Sequence, residues 1–441
     1  MSEAVAGSKL WPLDGPGGAL RLERHYGDRE FLCFSERWPD LNAMIEEVAQ
    51  AHGGSEAVVG DGRRLTYRAL AELATNAAGH LARRGVRSGD RVALLLGNCP
   101  EFLIFLLACF RLRAIVVPLG TRQREPELRY LLSDCGASAL VLEAEFASNL
   151  PPADAVPDLA LRILVGEGVP GCMPAADFFE PISPPPMPSA RDEDTTVILY
   201  TSGTTGQPKG AMLTHLSIIH SLITLRRCLG LGSGERAILA VPASHVTGLI
   251  AIMLTMLSIG GATILMRAFT ARDFLALAAA ERLTYTLMVP AQYVLCLMQP
   301  EFSRIDLSRW RIGAFGGAPM PEAAIAALAE RLPRLTLINA YGATETTSPT
   351  TIMPPGESAA HPDSVGQVVP CGEVRVVTPR AGSCRRASTA SSGSRGRWWC
   401  RAIGASRRRP RRISPSDFGA RATSAPLMPR VSSGCTTVSR T

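Results

Sequence analysis

Residues 89–119 constrain the fold more than any other stretch of the chain. After Gly89-Asp90 the sequence reads RVALLL, then Asn98 and Pro100 open an apolar helix, and AIVVPL follows. Apolar runs without polar alternation suit strands buried on both faces, and a helix between two of them makes a βαβ unit. Another strand pattern, at 139–142, follows the helix-like ELRYLLSDCG. Upstream, Thr66 is placed to cap a helix reaching about Arg84, with Leu70, Leu73, Ala77 and Leu81 along one face and Gly85 at its end. Beyond TTVILY at 195–200 the alternation resumes at 262–266, 285–289 and 335–339. The pattern predicts an α/β fold with doubly wound, largely parallel sheets covered on both faces.

Two stretches raise a membrane alternative. Residues 249–266 approach the length of a span, but Gly260-Gly261 interrupts them and β-formers follow, so they read as helix, turn and strand. Residues 102–110 are too short to span and are flanked by Glu101 and Arg111, which predicts a buried helix. The N-terminal MSEAVAGSKLWPLDG lacks the apolar segment of a signal peptide. Eleven cysteines lie scattered, with no Cys-x-x-Cys pair and no metal-ligand spacing with histidine, as suits reduced thiols in a cytoplasmic protein.

A chain of 441 residues exceeds what one core usually organises, so two subdomains are expected. The proline-rich 169–190, ending in PISPPPMPSA, suits an extended boundary. The organisation read from the sequence is an N-terminal extension (1–30), a first α/β subdomain (31–190), a second with the nucleotide motifs (191–377) and a basic tail (378–441). The formal charge of +7 is concentrated in that tail: residues 380–441 hold fourteen arginines, no lysine and one acid, Asp417, a local +13 that leaves the rest at −6. A mildly acidic body argues against a nucleic-acid partner, and RRRPRR at 407–412 belongs to the tail alone.

The segment Thr201, Ser202, Gly203, Thr204, Thr205, Gly206, Gln207, Pro208, Lys209, Gly210 follows the TTVILY strand directly. Glycines permit close backbone approach, successive N–H groups and hydroxyls supply donors, and Lys209 supplies charge, so the loop suits a polyphosphate. It is not a Walker A loop, which needs GxxxxGK[ST]. A flexible Ser/Thr/Gly linker has a similar composition, but linkers rarely follow a buried strand and end in PKG.

YTSGTTGQPKGAMLTH resembles the signature of the adenylate-forming, AMP-binding superfamily, which includes acyl-CoA synthetases, luciferases and nonribosomal-peptide adenylation domains. The resemblance continues in order through VPASHVTGL with His245, FGGAP with Gly316, Gly317, Ala318 and Pro319, and NAYGATETT with Asn339, Ala340, Tyr341, Gly342, Thr344 and Glu345. With GRRLTYRAL and SGDRVALLLGN it spans roughly residues 55–377. It implies the large N-terminal domain of an adenylate-forming enzyme of the acyl-CoA synthetase, fatty-acid–CoA ligase type.

By that resemblance, Thr201 to Gly206 and Lys209 hold the β- and γ-phosphates of ATP, and Gly316, Gly317, Ala318 and Tyr341 frame adenine. Pro319, Asn339, Ala340 and Gly342 complete the nucleotide site. Thr344 contacts the α-phosphate, while Glu345 and Thr201 hold Mg²⁺, a hard cation suited to oxygen ligands. His245 lines the acyl site, and a satisfied structural histidine is its other reading. Lys209, His245, Thr344 and Glu345 form the implied catalytic set.

The implied reaction is attack of a carboxylate oxygen on the α-phosphorus of ATP, releasing pyrophosphate, followed by displacement of AMP by coenzyme A, with both half-reactions expected to be impaired in this chain by loss of the C-terminal domain. A fatty acid is the expected substrate. Alternatives are an aryl-CoA ligase, a peptide-synthetase adenylation domain, or a weakly active fragment that binds ATP or acyl-adenylate. The sequence leaves the acid and the oligomeric state open.

The resemblance is expected to stop after Val377. No TGD-like aspartate, no GRxKD-like hinge and no C-terminal catalytic lysine is found in frame, so the lid domain is expected to be missing and the arginine- and serine-rich tail to lack a core. Plausible codons for 398–404, 418–424 and 427–437, read in one shifted frame, spell VVPGYW, WRAGDI and DAEGFVRVHD. These phrases point to a frameshift within 378–384.

Overall fold

The computed structural model describes residue 11 and residues 19–27, 29–184, 186–201 and 207–374, together with the backbone of three short strands at 375–377, 384–386 and 432–434. Apart from those strands, the tail expected to lack a core lies outside the described residues, as do Ser202, Gly203, Thr204, Thr205 and Gly206.

The chain opens with a hairpin, β1 (Leu20–His25) and β2 (Arg29–Phe34), followed by α1 (Leu41–His52) and a second hairpin, β3 (Glu56–Gly60) and β4 (Arg63–Thr66). Helix α2 (Tyr67–Arg83) starts where the sequence predicts, because the Thr66 side chain accepts from the Ala69 N–H. Its Leu70, Ala77 and Leu81 are buried. β5 (Arg91–Leu95), α3 (Pro100–Leu112) and β6 (Ile115–Pro118) form the predicted βαβ unit. Pro100 occupies the first turn of α3, where its missing N–H costs nothing, and Arg113 in the left-handed region ends the helix.

α4 (Glu125–Cys135), β7 (Ala137–Glu143), β8 (Leu161–Val165) and β9 (Met173–Pro174) complete the first half. Then come β10 (Thr195–Thr201), β11 (Lys209–Thr214), α5 (His215–Cys228) and β12 (Arg236–Leu239). The stretch 249–266 is helix, turn and strand, as expected, except that it begins inside a π-helix, Thr247–Leu254. The Thr255 hydroxyl donates to the Ile250 carbonyl five residues back, at 2.7 Å, which supports the wider turn. α6 (Thr255–Ser258) and β13 (Ala262–Leu265) follow, with Gly260 at φ +70° between them. The rest alternates: α7 (Ala271–Ala280), β14 (Tyr285–Met288), α8 (Pro290–Leu297), β15 (Ile312–Phe315), α9 (Glu322–Arg331), β16 (Thr336–Tyr341), then β17 (Thr351–Ile352), β18 (Gln367–Val368) and β19 (Arg375–Val377).

These strands make two principal sheets. The seven-stranded sheet has the order β11-β10-β6-β5-β7-β8-β9, and the nine-stranded sheet β18-β17-β16-β15-β14-β12-β13-β3-β4. Pairing is parallel except at the β10–β11, β3–β4, β16–β17 and β17–β18 edges. The proline-rich connection, expected to separate a pair of subdomains, instead joins strands of one sheet, since β10 pairs with β6. Likewise β3 and β4, from the first half of the chain, extend the second sheet. Two apolar edges left by separate halves are thereby each completed by strands from the other half.

Alternation along the strands distributes side chains among three cores. Ala237 and Leu239 face the central core between the sheets with α3, α5 and the π-helix, whereas Ile238 and Ala240 face α7 and α8 on the outer side. Val92 and Leu94 face the central core, while Ala93 and Leu95 face α4. The architecture is helix, sheet, helix, sheet, helix. The carboxyl end of β5 meets those of β12 and β13, where the Asn98 amide bonds the carbonyls of Leu239, Val241 and Met266.

Candidate active site

Thr201 ends β10 and stands opposite Lys209 in the antiparallel register of β11. Its hydroxyl lies 3.2 Å from Glu345 Oε1 and 3.5 Å from the Lys209 carbonyl. Thr201 and Glu345 are separated by 144 residues and are carried by strands of different sheets. Lys209 and Glu345 are exposed, so both heads are available to a ligand.

The segment carrying Glu345 is fixed from behind. Thr344–Thr346 form a single tight turn after β16, capped by reciprocal bonds between Ala343 and Thr346. Thr347 follows at φ +57°, and its buried carbonyl accepts from the Ser221 hydroxyl of α5 at 2.9 Å. Half-buried Thr344 shares the turn.

Gly316 to Pro319 follow β15, beside β16 in parallel register, with Phe315 opposite Asn339. A Cβ on Gly316 would sit 2.4 Å from the Ala340 carbonyl, so only glycine permits this approach. Gly317 takes φ +79° and leaves Val289 Cγ1 3.9 Å from where its Cβ would be. Gly342 is similarly closed in, by Ser348. Gly317, Ala318 and Pro319 are exposed, and Tyr341 is half-buried at the end of β16. Asn339 departs from the rest: its amide donates to the Ser364 carbonyl at 3.0 Å, inside the protein.

His245 is exposed on a turn at the carboxyl end of β12, with β14 between it and β15. The structure thus brings Thr201, Lys209 and Glu345 together and sets Gly316 against Ala340, while His245 stands on a neighbouring strand end. Residues the motifs do not single out also shape this edge: Val289 beside Gly317, Ser221 behind Thr347, Gln292 and Asn98. Only a polar side chain inside an apolar run, as at Asn98, signals such a role in the sequence.

The oxygen pair of Thr201 and Glu345 is a donor set that fits a hard divalent cation. Elsewhere among the described residues, Glu23, His25 and Cys33 bring ligand-type atoms within 4.8 Å of one another. That cluster is a salt-bridge node. Glu23 receives N–H groups from Arg37 and Arg21, and the Arg37 bonds chiefly hold it well below the usual carboxylate range. Burial meanwhile pushes the Cys33 thiol up to about 11. A cleft of about 580 Å³ lined by Trp11, Arg227, Arg311 and Arg334 opens at the amino ends of β15 and β16, away from these motifs.

The sequence model described as "AMP-binding enzyme" matches residues 45–401. The chain belongs to the AMP-binding enzyme family. The matched span begins before residue 55 and passes Val377, where the motif resemblance was expected to end. Among members of the family, a feruloyl-CoA synthase of Amycolatopsis is 38% identical over 312 residues, covering 70% of this chain and 59% of that protein. A long-chain-fatty-acid–CoA ligase of Mycobacterium tuberculosis is 29% identical over 313 residues, covering 71% and 61%. The crystal structure of the N-terminal domain of FACL13 from Mycobacterium tuberculosis matches with a TM-score of 0.73 at 28% identity, covering 79% of this chain and 86% of that one. No described helix is long and apolar enough to cross a membrane.

Proposed function

We propose that the protein binds ATP with Mg²⁺ and a carboxylic acid, forms the acyl-adenylate, and serves thioester formation with coenzyme A in a reducing, cytoplasmic setting. The observation that carries this reading is the meeting of Thr201 and Glu345 beside Lys209, because it joins two motifs of the family across two sheets. Glu345 and Thr201 would hold Mg²⁺, whose charge offsets that developing on the phosphates. Lys209 meets polyphosphate from the β11 edge, and the Gly316–Ala340 approach leaves room for adenine at the ends of β15 and β16. Thr344, on the Glu345 turn, directs its hydroxyl chemistry to the α-phosphate. His245 serves the acid. No protein nucleophile is needed, so positioning and charge supply catalysis.

For the acid, an aryl-propenoic acid is the first choice, because the relative at 38% identity is a feruloyl-CoA synthase, whereas the long-chain-fatty-acid–CoA ligase stands at 29%. The fatty acid expected from the sequence is the second. The test is acid-dependent exchange of labelled pyrophosphate into ATP by the full chain, with ferulate, benzoate, dodecanoate and acetate in separate arms. Exchange with ferulate ahead of dodecanoate is expected. No exchange with any acid, in a chain that unfolds cooperatively, defeats the proposal.

A further inference from the structure

We infer that Asn98 positions the turn carrying His245, and so acts on the acid side of the reaction rather than on the nucleotide side. The inference rests on the reading of His245 given above. It begins with topology. β6 lies on one side of β5 and β7 on the other, and β13 and β14 flank β12 in the same way. In such orders the switch point lies between the first strand and the third, here between β5 and β7 and between β12 and β14, and a crevice opens there at the carboxyl ends. Asn98 follows the end of β5 and reaches the end of β12, so it ties together the two strands that border these crevices.

Its contacts account for the whole amide. Nδ2 donates to the carbonyls of Leu239 at 3.2 Å, Val241 at 3.1 Å and Met266 at 2.9 Å, two N–H bonds serving three acceptors. Oδ1 accepts from the Ala243 N–H at 2.9 Å. Between Leu239 and Val241, the Ala240 carbonyl points the other way, as strand periodicity requires, and accepts from Gln292 Nε2 at 2.9 Å. Asn98 is 6% exposed, so water cannot replace these bonds without opening the junction.

The far side of the turn is closed by the π-helix. The His245 N–H donates to the Pro242 carbonyl at 3.1 Å, and the Leu249 N–H donates to the His245 carbonyl at 2.8 Å. A Cβ on Gly248 would lie 2.3 Å from the Pro242 carbonyl. The turn is thus clamped between Gly248 and Asn98, and loss of Asn98 frees it in one direction only. The nucleotide segments have separate supports, Gly316 against Ala340 and Ser221 against Thr347, and neither passes through Asn98.

The test titrates the full chain with ATP·Mg²⁺ and with two non-hydrolysable acyl-adenylate mimics, feruloyl- and dodecanoyl-sulfamoyl adenosine. In Asn98→Ala the better-bound mimic weakens about ten-fold while ATP changes less than two-fold. In a His245→Ala background the same change adds less than two-fold, because both act through one turn. Asn98→Ser keeps one donor and one acceptor in less space; it covers the case in which alanine prevents folding, with about a three-fold loss on the mimic alone. Equal weakening of ATP and mimic, or full additivity with His245→Ala, overturns the inference and leaves Asn98 a general support. If His245→Ala weakens the mimic but neither Asn98 variant does, the Asn98 inference fails alone. If His245→Ala has no effect, the reading of His245 fails and takes this one with it.

Discussion

The Thr201 hydroxyl lies 3.2 Å from the Glu345 carboxylate, although the two residues are 144 positions apart and are carried by strands of different sheets. Thr201 ends the strand that leads into the phosphate-type loop, and Glu345 sits on the turn after β16. Their contact places a hydroxyl, a carboxylate and the nearby Lys209 at one edge of the molecule. Opposite charges at such an edge suit a metal–polyphosphate pair better than either component alone.

Glu345→Gln keeps the shape of the side chain and removes its charge. ATP affinity measured by calorimetry in EDTA should change less than two-fold, whereas the gain in affinity on adding Mg²⁺ should fall about ten-fold, or about 1.4 kcal/mol. Thr201→Val should reduce the gain by a smaller factor, since a hydroxyl ligand carries no formal charge. An undiminished Mg²⁺ response in Glu345→Gln would assign the ion to other residues.

Lys209→Ala should weaken ATP at least ten-fold and leave adenosine within two-fold, because on the proposed reading the exposed ammonium meets the phosphates and not the nucleoside. Paired titrations of the two ligands decide it. Equal losses for both would point to a disturbed β10–β11 edge instead.

The supports of this site were legible in the sequence to different degrees. The 195–201 strand, the α2 helix with its Thr66 cap, and the βαβ unit could be read because propensity, pattern and burial agree there. The sheet partners could not. Nothing local says that β3 and β4 extend the second sheet, or that β10 crosses the proline-rich connection to pair with β6. Asn98 reads as the opening of a helix next to Pro100, yet its amide serves carbonyls more than 140 residues away. The π-helix is not legible in the sequence because its apolar run has no period to distinguish it from an α-helix. Ordered motifs single out the proposed site residues, but only the fold shows which of them touch.

Gly316→Ala tests the proposed adenine edge. The added Cβ would meet the Ala340 carbonyl at 2.4 Å, and a backbone atom in a parallel strand pair cannot swing aside as a side chain can. The expected cost is about 1–3 kcal/mol, in the range of other overpacking changes, and appears as a lower urea midpoint at unchanged slope. Adenosine affinity should fall as well. Gly232→Ala is the control, because nothing lies within 4 Å of its Cβ position. Equal midpoints for the two variants would show that β15 and β16 separate freely.

The pH dependence of stability should come from two buried imidazoles. His215 Nδ1 accepts from the Leu41 N–H at 3.2 Å at the start of α1, and His220 stacks on Phe34 with ring centroids 5.2 Å apart. Burial foremost, then the positive charges of Arg113 and Arg37 respectively, lowers each from 6.5 to about 4. Both are neutral in the folded protein at pH 6, whereas the unfolded chain takes up protons below about 6.5. The unfolded state therefore binds more protons between 6.5 and 4, so stability is full above that window and falls as pH drops through it. The slope is about 1.4 kcal/mol per pH unit for each imidazole, and it levels off below 4. Glu56, lowered to about 2 mainly by its hydrogen bonds from Arg64, overlaps only the acid end of this window and adds its own loss between about 4.5 and 2. Urea unfolding at pH 7.5, 6.5, 5.5 and 4.5 measures the slope. His215→Asn offers Oδ1 to the Leu41 N–H without a titrating group, so it should remove about half of the fall across the window while leaving stability at pH 7.5 within about 1 kcal/mol. A slope unchanged in His215→Asn would show that His215 is already protonated in the folded protein, and that the Leu41 N–H is held by something other than a neutral imidazole.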